Sequence, residues 1–442
     1  VQKATIQNRP TSYIAPFIIM VVLMSLVGLI TSLNQQFQVP MKAAYLIQTG
    51  QMANFWATLL NFAFFVAYLV MGGTGARYIQ KHGYKKTLST GLGVLLIGFA
   101  LYMVSAWVFE TFDISRFQSV IDQARVEGDA FEYTGKTVLP TAYWVFLVAA
   151  FASGSALTFI QAAINPYLVA CEVPGTSGVQ RQNIAGTGNS LMTTLVPLFV
   201  AYVIFQQKEG VDVEISSLYL PMTVLLIFVA ILLVTLRFLE LPEIESVSAG
   251  DEELPRHIWS FRHVRWGFIA LFCLVGMEVC LGANIVLYAT EDLSFTYGVA
   301  AQMAFLYWCG MLAGRLLGSF LSNVSARTQL AVGASGAALL LLVALLIHNP
   351  WLFCGMGFFH SVMWSAIFAL SVDGLGPYTA KGSGLVIMGC FGGAVLPVLQ
   401  GALAGYLGSW TWTWLIVLVC EAVILYYALV TSKISNQDKQ AL

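Results

Sequence analysis

Twelve apolar runs of about 20 residues or more follow one another along the chain, each with almost no charge inside it. An α-helix needs about 20 apolar residues to cross the hydrocarbon core of a bilayer. The runs therefore predict membrane-spanning helices at 12–36, 52–73, 87–109, 140–170, 184–206, 218–239, 266–289, 297–322, 328–348, 350–372, 383–406 and 409–432. Asn349-Pro350 divides the ninth run from the tenth, because Pro removes a backbone donor and clashes inside a helix. The first run is too long for the apolar core of a signal peptide, and no small-residue cleavage pattern follows it. It is expected to remain as a span. The fold class expected is an all-α membrane protein embedded in the lipid bilayer.

Composition removes other classes. Only 10% of the 442 residues are charged and 58% are hydrophobic, whereas a soluble domain carries roughly 25% charge. A net charge of −1 provides no basic field for nucleic acid. The seven cysteines lie almost entirely inside apolar runs and form no CxxC pair. They read as small packing residues, so neither a metal nor another cofactor is expected. No HExxH, no paired intramembrane acids and no nucleotide loop occur, so the chain is not expected to be an enzyme. A membrane enzyme or receptor is the remote alternative.

Basic residues set the orientation. Of the 21 lysines and arginines, 16 fall on the side of the termini; Lys42, Arg116, Arg125, Lys136 and Lys208 fall on the other. The positive-inside rule then puts both termini in the cytoplasm, with the chain in a bacterial inner (plasma) membrane. Two loops are long. Residues 110–139 are acidic, with Ile114, Phe117, Val120, Ile121 and Ala124 at near-helical spacing, which predicts a short amphipathic helix on the membrane. Residues 240–265 are polar and separate six spans from six. They divide residues 1–239 from 266–442 as two six-helix bundles joined by a cytoplasmic linker, a pattern that suggests duplication.

Short motifs recur in order. Span 2 is followed by Ala76-Arg-Tyr-Ile-Gln-Lys-His-Gly-Tyr-Lys-Lys86, with Lys81, Gly83, Lys85 and Lys86 as a candidate conformational loop. Its counterpart after span 8 begins at Gly314-Arg315. Span 4 carries Gln161-Ala-Ala-Ile-Asn165-Pro166-Tyr167, and span 5 opens on Arg181-Gln-Asn183-Ile-Ala-Gly-Thr-Gly-Asn189-Ser190. Span 7 carries Phe272-Cys-Leu-Val-Gly-Met-Glu278, and span 11 is rich in glycine, including Gly382, Gly384, Gly389, Gly392 and Gly393. Together, over about residues 12–430, these segments resemble the fucose/proton symporter family within the major facilitator superfamily. The resemblance implies two pseudo-symmetric six-helix bundles around a central cavity, with substrate near the midplane. It also implies sugar import driven by an ion gradient. The family's protonatable Asp in span 1 and Glu in span 4 correspond here to Gln35 of Asn34-Gln35 and to Gln161, and an amide cannot exchange a proton.

The residues that remain able to bind or couple are few. A carboxylate in hydrocarbon costs at least about 2.5–3.5 kcal/mol, so Glu278 must face a cavity, carry a proton or hold a cation. It is the candidate ion-coupling residue. Gln161 and Asn165 are i and i+4 on one face of span 4, and amides supply both donors and acceptors for sugar hydroxyls. Asn34, Gln35, Asn189, Asn284, His360 and Trp364 complete the candidate substrate-binding set, with Tyr307 and Trp308 as further aromatic candidates. Asn284 lies about 120° around an ideal helix from Glu278, so both reach one ligand only if span 7 bends, for example at Gly282. Pro166 is expected to break span 4 just past its amide stripe. The resulting expectation is a monomeric secondary active transporter. It imports a monosaccharide or similar small polar solute by alternating access, coupled to protons or sodium. A sugar uniporter is the alternative.

Overall fold

The computed structural model describes residues 13–128, 131–171, 173–176, 178–241, 257–318, 324–375, 378, 382 and 385–433. Among these residues there is no strand. Helix α1 (Ile14–Gln36) runs on into α2 (Gln38–Tyr45), and α3 (Ala53–Val108) holds two spans in one helical run. The helix α4 (Ile114–Glu127) follows, then α5 (Thr141–Ala170), α6 (Gly178–Leu198) and α7 (Tyr219–Phe238). Next, α8 (Arg262–Val279) passes through a π-helical turn, Cys280–Asn284, into α9 (Ile285–Glu291). The chain ends with α10 (Tyr297–Gly318), α11 (Ala326–Leu346), α12 (Leu352–His360), α13 (Met363–Val372), α14 (Gly392–Leu407) and α15 (Leu415–Tyr426).

Among the described residues, eleven stretches are long and apolar enough to cross a membrane. The twelfth expected span, 297–322, is α10, a 22-residue helix made more polar by Gln302, Tyr307, Trp308 and Arg315. The division at Asn349-Pro350 is present, with α11 ending at Leu346 and α12 starting at Leu352. Pro166 does not break its helix. Residues 141–170 stay helical through it, because in lipid neighbouring groups re-satisfy a carbonyl that proline frees. Most of the expected linker (242–256), the end of span 8 (319–323) and Gly384 lie outside the described residues. In 110–139 the expected short helix is α4, which buries Phe117 and Ala124. Just before it, the Asp113 carboxylate accepts the Ala142 N–H at 2.8 Å, filling one of the open donors in the first turn of α5.

Exposure is inverted relative to a soluble protein. Val224, Ile227, Ile231 and Val234 on α7 are each more than half exposed, as lipid-facing positions should be. By contrast, 83% of the apolar window of Arg262–Glu291 is buried, so this span stands at the centre. In the first half α3 packs on α5 and α7, and α1 on α6; in the second, α12 packs on α10 and α11, and α8 on α13 and α15. The two sets meet where α14 lies on α3 and α10 on α6. Small residues permit the tightest approaches. A Cβ on Gly357 would sit 2.0 Å from the Tyr307 carbonyl oxygen, which ties α12 against α10 and sets His360 beside Tyr307. We call the face reached by α2 distal, opposite Tyr13.

Gly83 turns the chain between the second and third spans at φ 75°, ψ 176°. That region is essentially restricted to glycine, at about 1–3 kcal/mol for other residues. No neighbouring atom lies within 4 Å of a Cβ there, so strain alone acts. Gly83→Ala is expected to lower stability by about 1–3 kcal/mol, visible as a lower melting temperature of the purified protein in detergent. An unchanged melt would remove the strain argument.

Candidate functional site

Span 7 changes register where the sequence allows a bend. The π turn Cys280–Asn284, which contains Gly282, interrupts the α-helical register two residues beyond Glu278, and such turns are frequent at functional sites. The carbonyl of Gly282 accepts the Gln36 side chain at 2.7 Å, joining span 1 to span 7. From there a ladder of buried side chains crosses between the halves. Tyr102 donates to Asn34 (3.2 Å), Asn34 to Asn61 (3.1 Å), Asn61 to Gln38, Gln38 to Asn284 (2.7 Å), and Asn284 to Gln400 (2.9 Å). Asn34 and Asn284 are thus engaged with protein on the distal side of the centre. Gln36 and Gln38, at the outer end of the first span, are buried rather than facing bulk water.

Below the ladder several polar atoms remain open. Gln35 is buried, and its Oε1 has no partner; nor have the Trp308 Nε1 and the Glu278 Oε1. These three belong to one neighbourhood. A Cβ on Gly282 would lie 2.6 Å from the Trp308 ring and 3.0 Å from Gln35 Oε1. Glu278 is four residues before Gly282, one turn along the same span. Glu278 is partly exposed as a residue while its Oε1 is buried, and the fields of Arg315 and His360 reach it. On the facing wall Gln161 donates to the Tyr68 hydroxyl at 2.9 Å. Gln161 and Asn165 are both partly exposed. Buried amide, indole and carboxylate atoms left without partners cost free energy, and a polyhydroxylated ligand would satisfy them.

Other sequence candidates are placed elsewhere. Asn189 donates to the Met24 carbonyl at 3.0 Å, and its backbone lies against Gly28, so it fastens α6 to α1. Arg315 lies within α10, not in a loop, and donates to Ser190 on α6 at 2.5 Å, across the halves. His360 is fully buried; Trp364 is exposed and stacked on Phe368. Lys81 and Lys86 are exposed, while Lys85 donates to the carbonyls of Arg237 (2.9 Å) and Leu239 (2.8 Å) at the end of α7. Sequence reasoning passed over Glu421. It sits in Leu415-Ile-Val-Leu-Val-Cys-Glu421-Ala-Val-Ile-Leu, and the cost of a carboxylate in hydrocarbon flags it as it flags Glu278. Asn61 and Gln400 carried no such signal.

On the distal face the halves are held together. The Glu291 carboxylate takes Lys42 (2.5 Å) and Asn54 (2.8 Å) from the first half and Trp410 Nε1 (3.0 Å) from the second. Gln302 reaches Tyr202 at 2.9 Å, and the Tyr297 N–H reaches Glu209.

The sequence matches the Major Facilitator Superfamily over residues 14–396. It is 28% identical over 415 residues to a glucose/galactose transporter of Brucella abortus, covering 92% of this chain and 91% of that one. It is 25% identical over 468 residues to the L-fucose-proton symporter of Escherichia coli, covering 97% and 95%. Its fold resembles the inward-open xylose transporter XylE of E. coli, with a TM-score of 0.69, 11% identity, and coverage of 97% of this chain and 99% of that one. A helical bundle with a polar seam between its halves and a sequence of this kind has one reading: the chain belongs to the Major Facilitator Superfamily, and is a multi-pass membrane transporter rather than an enzyme.

Proposed function

We propose that the chain is a monosaccharide:proton symporter of a bacterial inner membrane, with both termini cytoplasmic. Its distal face is then external, and the fastened distal contacts close that face in this structure. The two halves are 1–239 and 266–442, and the linker 240–265 lets them rock. One chain supplies both walls of the site, so a monomer suffices. Sugar as substrate is supported by the relatives named for glucose and galactose and for L-fucose with protons.

The observation that carries the reading is the set of unpartnered atoms around Gly282: Gln35 Oε1, Trp308 Nε1 and, one turn away, Glu278 Oε1. Hydroxyls donate and accept, so a sugar pairs with all three, while the indole face packs on C–H bonds. When the distal side opens, Gln38 parts from Asn284 and both become available to arriving substrate, with Asn34 beside them on the first half. The two positions where the family's acids would stand are Gln35 and Gln161, so Glu278 is the acid next to the sugar.

The direct test is uptake by purified protein in proteoliposomes under a pH gradient, over D-glucose, D-galactose, L-fucose and D-xylose. At least one should accumulate, and should raise the melting temperature by mass action. If none is moved and none shifts the melt, the substrate class is wrong. Gly282→Val should weaken the transported sugar about tenfold, since overpacking costs about 1–3 kcal/mol. Counterflow KM measures it, and an unchanged KM would move the site elsewhere.

A further inference from the structure

A second carboxylate lies behind the site, held in a chain of buried groups. His360 Nε2 is 2.7 Å from Glu421 Oε1, and His360 Nδ1 is 3.0 Å from the Tyr307 hydroxyl. All three residues are at most 1% exposed, and Glu421 Oε2 has no partner. They come from three helices. Gly357 lets α12 press on the Tyr307 backbone, and α12 ends at His360 before the chain resumes at Met363.

We propose that the Tyr307–His360–Glu421 chain is a proton-loading site of this carrier, distinct from the sugar-facing Glu278. The proposal rests on the symport reading above. A tyrosine hydroxyl can donate or accept, so the chain is bonded in both protonation states. Unloaded, Tyr307 donates to Nδ1, and Nε2–H donates to the Glu421 carboxylate. Loading adds one proton at Nδ1, which then donates to the Tyr307 oxygen, and Nε2–H still meets Glu421. The loaded chain is net neutral and the unloaded one carries a lone buried anion, which is costly away from water. A protein that rocks between two states can use that difference to bind transport to proton movement.

The surrounding groups limit where the proton comes from. From α8, Glu278 and Cys273 bear on the cluster, and Cys280 follows in the π turn; Arg315 bears on it from α10 and Cys420 from α15. Helix α11, packed on α12 and α15, brings only Arg327 in its first turn, which is bonded to Ser432 at 3.2 Å. Glu278 is the partly exposed acid among them, and its field reaches both Tyr307 and His360. It is the acid of the sugar-facing site, and the group through which protons would pass to the cluster.

The test compares Glu421→Gln, His360→Gln and Glu278→Gln in proteoliposomes, using whichever of the four sugars the wild type moves. Three quantities are read: accumulation under a pH gradient, sugar counterflow without a gradient, and proton uptake during downhill sugar entry. Glu421→Gln should lower accumulation about tenfold or more and abolish proton uptake, while counterflow persists with its KM little changed. Glu278→Gln should shift KM as well, because it faces the sugar. If Glu421→Gln and His360→Gln both keep full accumulation and proton uptake, the cluster is only structural and the proposal fails, with the symport reading intact. Loss of counterflow together with accumulation, in variants whose sugar-induced melt shift survives, also overturns it in favour of packing. If either glutamine variant fails to fold, the other carries the test. A wild type that moves no sugar is a different result, and defeats the symport reading itself.

Discussion

Glu278→Gln is expected to leave a carrier that equilibrates sugar and no longer concentrates it. A membrane potential of 100 mV is worth about 2.3 kcal/mol per proton carried. At about 1.4 kcal/mol per tenfold, one coupled proton sustains an accumulation of roughly 50-fold. The variant should fall to a ratio near one in the same vesicles. The reason lies in the position of the group. Glu278 is partly exposed at the central seam, with one oxygen unbonded and no carboxylate at positions 35 or 161 to replace it. Gln keeps the shape and the donor of a protonated acid at every pH. Wild-type KM should therefore rise with pH as the proton is lost, and the variant's KM should stay flat. Counterflow and pH-driven uptake, measured on one preparation, separate these effects. Undiminished accumulation by the variant would assign coupling to another group and leave Glu278 as a structural acid.

The helices were legible because lipid imposes one requirement on all of them: a run long and apolar enough to cross. The same requirement singled out Glu278, since a charge inside such a run demands an explanation. Span 8 shows the limit of that signal. Gln302, Tyr307, Trp308 and Arg315 dilute its hydropathy because α10 faces the other half, so its polarity is a sign of function rather than of a missing span. The amides show a deeper limit. Asn34 and Gln35 stand side by side in the sequence, yet Asn34 is bonded to Asn61 and Tyr102 within the ladder while Gln35 Oε1 has no partner. Which amide spends its hydrogen bonds on protein depends on the register between helices far apart in the chain. That register is set by contacts such as Gly28 against Asn189 and Gly357 against Tyr307. Glu421 was different. Its signal was present, but it stands outside any familiar motif, and only the geometry of His360 gives it a partner.

Glu291→Ala should move the molecule toward the state open on the distal face. One carboxylate there collects Lys42 and Asn54 from the first half and Trp410 from the second. The ion pair is mostly shielded, with side chains 21% and 30% exposed, so solvent screens it only in part. Hydrogen bonds to a charged group contribute about 1.5–3 kcal/mol each before such losses. A net shift of roughly 3 kcal/mol is a reasonable sum, which changes the ratio of the two states by roughly 100-fold. The amide ladder beneath, through Gln36 to Gly282 and Gln38 to Asn284, would then bear the closed state with the distal contacts Gln302 to Tyr202 and Tyr297 to Glu209. Because no ladder residue is touched, sugar affinity measured from the distal side should improve while the rate of return to the closed state falls. A single cysteine placed at Thr58, buried one turn beyond Asn54 and packed on Gly401 of the other half, reports the shift through its labelling rate by a membrane-impermeant thiol reagent. The native cysteines are first replaced. Labelling that is no faster in Glu291→Ala than in the parent would show that the ladder and the remaining distal contacts, and not the charged latch, hold the distal face shut.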